Sequence, residues 1–217
     1  MSEFFSKKDL FREQINLVKG DPQKFITAYL LEGDCSVFPD GALYTEFRHR
    51  AATALSPDRQ NYSLAPEDIK VVGSGKLGYS LNPNKPFREF RVEEGSDLDV
   101  AVFSEQLFQQ GLEDLHGLRF YDRLNRGLIG QKLSEEHYSD IYILRSVLDG
   151  FIPLESILTK MKFGQQWSKA RDELVSVLGE GFEGIDINFR LYRSPRHLRT
   201  YQLRAVKKAI TLLDSED

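Results

Sequence analysis

Two aspartates separated by one residue are the side chains in this sequence best suited to hold a metal ion. They are Asp97 and Asp99, in the run Ser96-Asp97-Leu98-Asp99-Val100. On a β-strand, residues two apart point to the same face, so both carboxylates can reach one metal cluster. Hard cations such as Mg²⁺ prefer carboxylate oxygens as ligands. The pattern predicts a magnesium site on a strand whose Leu98 and Val100 point into the core.

A glycine-rich turn follows an earlier apolar run, in Val71-Val72-Gly73-Ser74-Gly75-Lys76. Glycine lets a phosphate approach the backbone closely, and amide and hydroxyl groups can bind its oxygens. We therefore expect Gly73 and Ser74 to contact the phosphates of a nucleotide. Lys76 either contacts the same phosphates or only solvates the turn. A P-loop is excluded, because the residue after Lys76 is Leu77 rather than Ser or Thr.

The order of strand, Gly-Ser, spacer and Asp-hydrophobic-Asp-hydrophobic resembles the signature of the DNA-polymerase-β-like nucleotidyltransferase superfamily. On this resemblance Gly73 and Ser74 match the phosphate-binding pair, and Asp97 and Asp99 match the first two metal ligands. The spacer is longer than is usual in the family. The resemblance implies an α+β fold with a mixed sheet and flanking helices. It also implies two Mg²⁺ ions and transfer of a nucleoside monophosphate, AMP from ATP, to an acceptor hydroxyl.

The family's third carboxylate lies on a later strand between apolar residues, and Asp186 in Ile185-Asp186-Ile187 is its best match here. As a third metal ligand, Asp186 would orient or deprotonate the attacking hydroxyl. The alternative is a solvent-facing residue on an edge strand. Arg190 and Arg193 come after it and are candidates to contact the triphosphate or the acceptor. Alternatively, Arg190 and Arg193 only form part of a basic surface beside the last helix.

Within the superfamily, the chain is most similar to small stand-alone bacterial nucleotidyltransferases, which include toxins and phage-defence components. The resemblance leaves the acceptor open between tRNA, a protein side chain and a second nucleotide. It also raises a protein partner, as in a toxin–antitoxin or defence pair. The alternative function is a non-catalytic nucleotide-sensing or partner-binding module on the same fold.

Composition narrows the class of protein. The chain has 217 residues, with 29 Lys plus Arg against 33 Asp plus Glu, so its surface as a whole should not attract nucleic acid. Contact with nucleic acid would have to be local, as in the acid-free basic stretch 190–208. A single cysteine, Cys35, and four scattered histidines predict neither a disulfide nor a zinc site. No apolar run reaches membrane-spanning length, so we expect a cytoplasmic protein without membrane contact.

The remaining patterns predict one domain with an N-terminal helical region over about 1–56 and a C-terminal helix over about 195–214. Apolar residues at helical spacing also make the stretch 104–178 mainly helical, with breaks near Gly130, Gly150-Pro153 and Gly164. A loop is expected over 56–66 and a flap or hairpin over 81–95. The specific helices expected near the N-terminus are 7–19, 22–31 and 40–55, and the strands are 68–72, 98–103 and 182–192.

Overall fold

A computed structural model describes residues 8–38, 40–56, 63–118 and 135–216 of the chain. Eight α-helices are present in these ranges. In chain order they are α1 (Lys8–Leu17), α2 (Pro22–Phe25), α3 (Gly41–Leu55), α4 (Gly73–Leu77), α5 (Glu105–Gly117), α6 (Glu135–Leu148), α7 (Gly164–Leu178) and α8 (Pro195–Glu216). None of the helices in the described residues is both long enough and apolar enough to cross a membrane.

Four strands form one mixed sheet in the order β1-β2-β4-β3. Strand β2 pairs antiparallel with β1 and parallel with β4, and β3 pairs antiparallel with the other edge of β4. The strands are β1 (Ile69–Val72), β2 (Leu98–Phe103), β3 (Phe151–Pro153) and β4 (Ile187–Tyr192). The structure is therefore a mixed sheet with flanking helices, which confirms the α+β class.

One face of the sheet carries the main core. Alternate residues of β2 and β4, such as Val100 and Phe189, are buried there against α3 and α7. Trp167 of α7 is fully buried, meets the Phe189 ring edge-on at 5.4 Å, and donates from Nε1 to the Leu55 carbonyl at 2.9 Å. Because side chains alternate along a strand, Leu98, Val100 and Val102 of β2 point into this core, and Asp99 points to the opposite face.

The opposite face is apolar at one end and polar at the other. At the apolar end, Phe103 of β2, Phe151 of β3 and Tyr192 of β4 are buried beneath Leu198 of α8. Two residues earlier along β4 the same face carries Arg190, and earlier still Asn188. Helix α8 therefore covers only part of this face, and the charged side chains occupy the rest.

Most predicted elements are present, with informative differences. The strand 98–103 is confirmed, whereas the strand expected over 182–192 begins only at Ile187. The helix expected over 22–31 begins as α2 and continues as a π-helix, Ile26–Glu32. The predicted breaks near Gly150-Pro153 and Gly164 are present, and the first of them contains the strand β3, which the sequence pattern did not predict.

The segment 81–95 is expected to form a flap or hairpin. In the structure, Glu89 of this segment forms an isolated antiparallel bridge with Tyr79, and a short 3-10 helix follows at Val92–Glu94. The break near Gly130, residue 7 of the first predicted helix and most of the loop 56–66 lie outside the described residues.

Candidate active site

The glycine turn and the strand of aspartates meet at close range. Gly73 directly follows β1 with a positive φ of 65°, a conformation that favours glycine. A Cβ atom at Gly73 would lie 2.8 Å from Oδ2 of Asp99, which is closer than real Cβ contacts allow. Two residues on, a Cβ at Gly75 would lie 2.6 Å from Leu98 Cδ1. Glycine at both positions lets the backbone of the turn lie against β2.

Ser74 is half-buried in the first turn of α4. Its backbone carbonyl accepts a hydrogen bond from the Gly78 amide at 2.7 Å, which closes the short helix. Within the described part of the chain, no protein group is hydrogen-bonded to its hydroxyl. The Ser74 hydroxyl is therefore available to a ligand at the same end of β1 as Gly73.

Asp99 lies between two strands, opposite Val72 of β1 and Asn188 of β4. Its Oδ1 is 3.2 Å from NH2 of Arg190, and its side chain is only 20% exposed. Burial raises the pKa of Asp99 to about 6; Arg190 opposes the rise, and the nearby carboxylates of Asp97 and Glu155 add to it. Oδ1 is buried without a partner in hydrogen-bond geometry, although it is within ion-pair distance of Arg190.

Asp97 lies just before β2, in a turn closed by Ser96. The Ser96 hydroxyl accepts a hydrogen bond from the Arg91 amide at 3.0 Å, and the Ser96 amide donates to the Arg91 carbonyl at 3.0 Å. The exposed carboxylate of Asp97 accepts a hydrogen bond from Nδ2 of Asn188. The structure thus brings Asp97, Asp99 and the Gly73-Ser74 turn to one region, as the sequence predicts.

Glu155 is the carboxylate at this region that the sequence pattern misses. The β3–β4 pairing continues one residue past β3, because the Leu154 amide donates to the Phe189 carbonyl at 3.1 Å. This register places Glu155 alongside Asn188, on the face that carries Arg190. Oε1 of Glu155 is 3.3 Å from Nε of Arg190. The guanidinium therefore links Glu155 to Asp99 across β4.

Asp186 lies one residue before β4 and is more exposed than Asp99. Its backbone carbonyl accepts a hydrogen bond from the Leu98 amide at 2.8 Å, which places it near Asp97 in register. Among the described residues, however, no three His, Cys, Asp or Glu side chains are grouped so as to hold a metal ion. The structure does not assemble Asp97, Asp99 and Asp186 into a three-carboxylate cluster.

Two predicted phosphate contacts point elsewhere. Lys76 is buried in α4, where its Nζ donates to the Gly33 carbonyl, so it neither solvates the turn nor faces Asp99. Arg193 lies beyond the end of β4, and its guanidinium pairs with Glu105 at 2.7 Å. Of the three basic residues predicted to contact phosphate, Lys76, Arg190 and Arg193, only Arg190 forms an ion pair with Asp99.

The donor set fits magnesium. Asp97 and Asp99 supply two carboxylates, and Mg²⁺ characteristically completes its octahedral shell with water and substrate phosphate oxygens. The unpartnered Oδ1 of Asp99 is the kind of buried acceptor that a cation would satisfy. The negative charge of Asp97 contributes to the raised pKa of Asp99, and a divalent cation between the two carboxylates would relieve this repulsion.

Comparisons of the chain with protein-family models, with curated proteins and with solved structures gave no match. The case for a function therefore depends on the geometry of this region and on the sequence pattern.

Proposed function

We propose that the protein is a magnesium-dependent nucleotidyltransferase that transfers AMP from ATP to an acceptor hydroxyl. The observation that carries the proposal is the close approach of the Gly73 backbone to the Asp99 carboxylate. A Cβ atom added at Gly73 would lie only 2.8 Å from Oδ2 of Asp99. A phosphate-binding turn and a metal-binding carboxylate must be neighbours if both are to act on one triphosphate.

The residues divide into three roles. Asp97 and Asp99 would hold the two Mg²⁺ ions, which activate the attacking oxygen and neutralise charge on the leaving pyrophosphate. The Gly73 amide and the Ser74 hydroxyl bind phosphate oxygens. Arg190 adds a fixed positive charge beside Asp99, and a guanidinium suits phosphate oxygens because it can donate two parallel hydrogen bonds.

Glu155 is our candidate to accept the proton of the acceptor hydroxyl. The freed oxygen bonds to the α-phosphorus, the bond to the bridging oxygen breaks, and pyrophosphate leaves with that electron pair. Asp186, the candidate from sequence, is also exposed, but it lacks the link to Arg190 that Glu155 has. We therefore expect Glu155→Gln to reduce turnover with ATP affinity retained, and Asp186→Asn to have a smaller effect on turnover.

Two measurements test the proposal. Pyrophosphate release is followed with ATP and Mg²⁺, and labelled nucleotides are incubated with the protein and cell extract to find the molecule that takes up label. Asp97→Asn and Asp99→Asn should abolish both signals, while the exposed control Asp172→Asn should retain them. Full activity in either aspartate variant would refute the mechanism. The Ser74→Ala variant should bind ATP more weakly by about 1.5–3 kcal/mol.

A second candidate is a nucleotide-sensing or partner-binding module without turnover. The observation that favours it concerns Asn188 of β4, which lies opposite Asp99. A carboxylate at this position would give a third acidic group beside Asp97 and Asp99, but Asn188 carries a neutral amide. Arg190 already partly neutralises Asp99 in this arrangement. Calorimetry separates the two candidates, because ATP binding without pyrophosphate release or label transfer supports the module.

A further inference from the structure

A polar recess of about 410 Å³ lies at the edge of β1 that faces away from β2. Its walls are formed by residues 31–35, Phe38 and Asp40, by the first half of α3, and by Lys70 of β1. The volume falls within the range of small-molecule pockets. Because β2 pairs with the other edge of β1, the recess is separate from the region of Asp97 and Asp99.

One wall of the recess is the ring of Tyr44, held in a fixed orientation. The Tyr44 hydroxyl accepts a hydrogen bond from the Val71 amide at 3.1 Å, at the free edge of β1. The guanidinium carbon of Arg48 lies 5.1 Å from the centre of the ring, and Nζ of Lys76 lies at the same distance. Cation–π contacts therefore draw positive charge to this wall.

Arg48 and Lys70 supply the positive charges among the residues that line the recess. Neither side chain forms an ion pair with any residue in the part of the chain that the structure describes, and Nε of Arg48 is buried without a hydrogen bond. Burial lowers the pKa of Lys70, as does the charge of Arg48, whereas the carboxylates of Glu67 and Glu32 raise it. Two like charges at one recess repel each other, and a bound anion would relieve this repulsion.

Carboxylates line the recess as well, and they restrict the class of ligand. Asp40 is already engaged, because its Oδ1 accepts a hydrogen bond from the Leu43 amide at 2.8 Å. Glu32 and Asp34 remain as hydrogen-bond acceptors for the hydroxyls of a ligand. A ligand with one anionic group and several hydroxyls would match both kinds of lining group.

We propose that this recess binds a small phosphate monoester that carries hydroxyls, of the size of a sugar phosphate or nucleoside monophosphate. Its phosphate contacts Arg48 and Lys70, and its hydroxyls contact Glu32 and Asp34. A guanidinium and an ammonium together supply the multiple donors that phosphate oxygens accept. The proposal does not depend on nucleotidyl transfer, because none of these residues belongs to the candidate active site.

Isothermal titration with ribose 5-phosphate in EDTA tests the proposal, since EDTA removes metal-dependent binding at the aspartates. We expect saturable binding to the wild type, and at least about tenfold weaker binding to Arg48→Gln and to Lys70→Gln. The matched control is Arg50→Gln, on the same helix but exposed and paired with Glu46 outside the recess. Its affinity for ribose 5-phosphate should equal that of the wild type.

Two independent variants keep the test decisive if one of them fails to fold, which circular dichroism would reveal. Ribose without phosphate should not bind, and inorganic phosphate should bind more weakly than the monoester. No saturable binding to the wild type would overturn the proposal, as would an equal loss in Arg50→Gln, which would indicate long-range electrostatics alone. Equal binding of inorganic phosphate would overturn the assignment of Glu32 and Asp34 to ligand hydroxyls.

Discussion

Replacing Asp99 by asparagine is expected to stabilise the metal-free protein at neutral pH. Burial raises the pKa of this carboxyl from an ordinary value of 3.8 to about 6, and the positive charge of Arg190 only partly opposes the rise. An ionised carboxylate whose pKa is raised by folding destabilises the folded state. Asparagine retains the shape of the side chain and removes the charge.

The magnitude follows from the pKa. One pKa unit corresponds to about 1.4 kcal/mol, so a rise from 3.8 to about 6 corresponds to an upper limit of about 3 kcal/mol. Between these two pH values the folded protein holds a proton that the unfolded chain has lost, so Asp99 lowers stability as pH rises through this window. Above pH 6 the full penalty is present. We expect Asp99→Asn to gain about 1–3 kcal/mol at about pH 7.5, and to lose most of that gain at about pH 4.5.

Urea unfolding followed by circular dichroism in EDTA measures this gain at both pH values. The control is Asp172→Asn, whose side chain is 79% exposed and 3.8 Å from Arg171, and its unfolding free energy should change little. Equal free energies for the wild type and Asp99→Asn at about pH 7.5 would refute the reasoning. A gain of the same size at both pH values would show that ionisation of the carboxyl is not its cause.

Other substitutions have expected outcomes of their own. Gly73→Ala should lower the free energy of unfolding, measured in urea, by about 1–3 kcal/mol, because the φ of Gly73 is positive and a Cβ would contact Asp99. The same substitution should weaken ATP binding. Unchanged stability would contradict this expectation. Lys76→Met should leave calorimetric affinity for ATP and Mg²⁺ unchanged, since Nζ faces the Gly33 carbonyl; weaker binding would restore its phosphate role. Trp167→Ala should cost about 3–5 kcal/mol in urea by opening a core cavity, and a smaller loss would indicate that neighbours fill the space.

Local patterns were sufficient to predict the elements that carry the aspartates. β2 is an apolar run interrupted only by Asp99, and Asp97 comes two residues earlier, so the local sequence gives both the position of the strand and the shared face of the two aspartates. The turn at Gly73 was likewise predicted from glycines placed directly after an apolar run, and its positive φ is one that glycine adopts readily. Each of these features depends on residues that are neighbours in sequence.

The features that escaped prediction depend on long-range pairing. β3 has three residues and contains Pro153, so it lacks the length and alternation that mark a strand. Glu155 acquires its place beside Arg190 only through the pairing of β3 with β4. The direction of Lys76 was missed for a related reason, because the Gly33 carbonyl that accepts from it is 43 residues away.

The hydrogen bond from the Val71 amide to the Tyr44 hydroxyl has a consequence for how the protein can associate. An edge strand with free amides can template a strand from another chain, which leads to aggregation or to binding by strand addition. At β1 a side chain already occupies an outward amide, and α3 packs along the same edge. At the other edge, β3 is short and Pro153 has no amide hydrogen to donate. Both edges of the sheet, as far as the structure describes the chain, are therefore poorly suited to pairing with a strand from another protein.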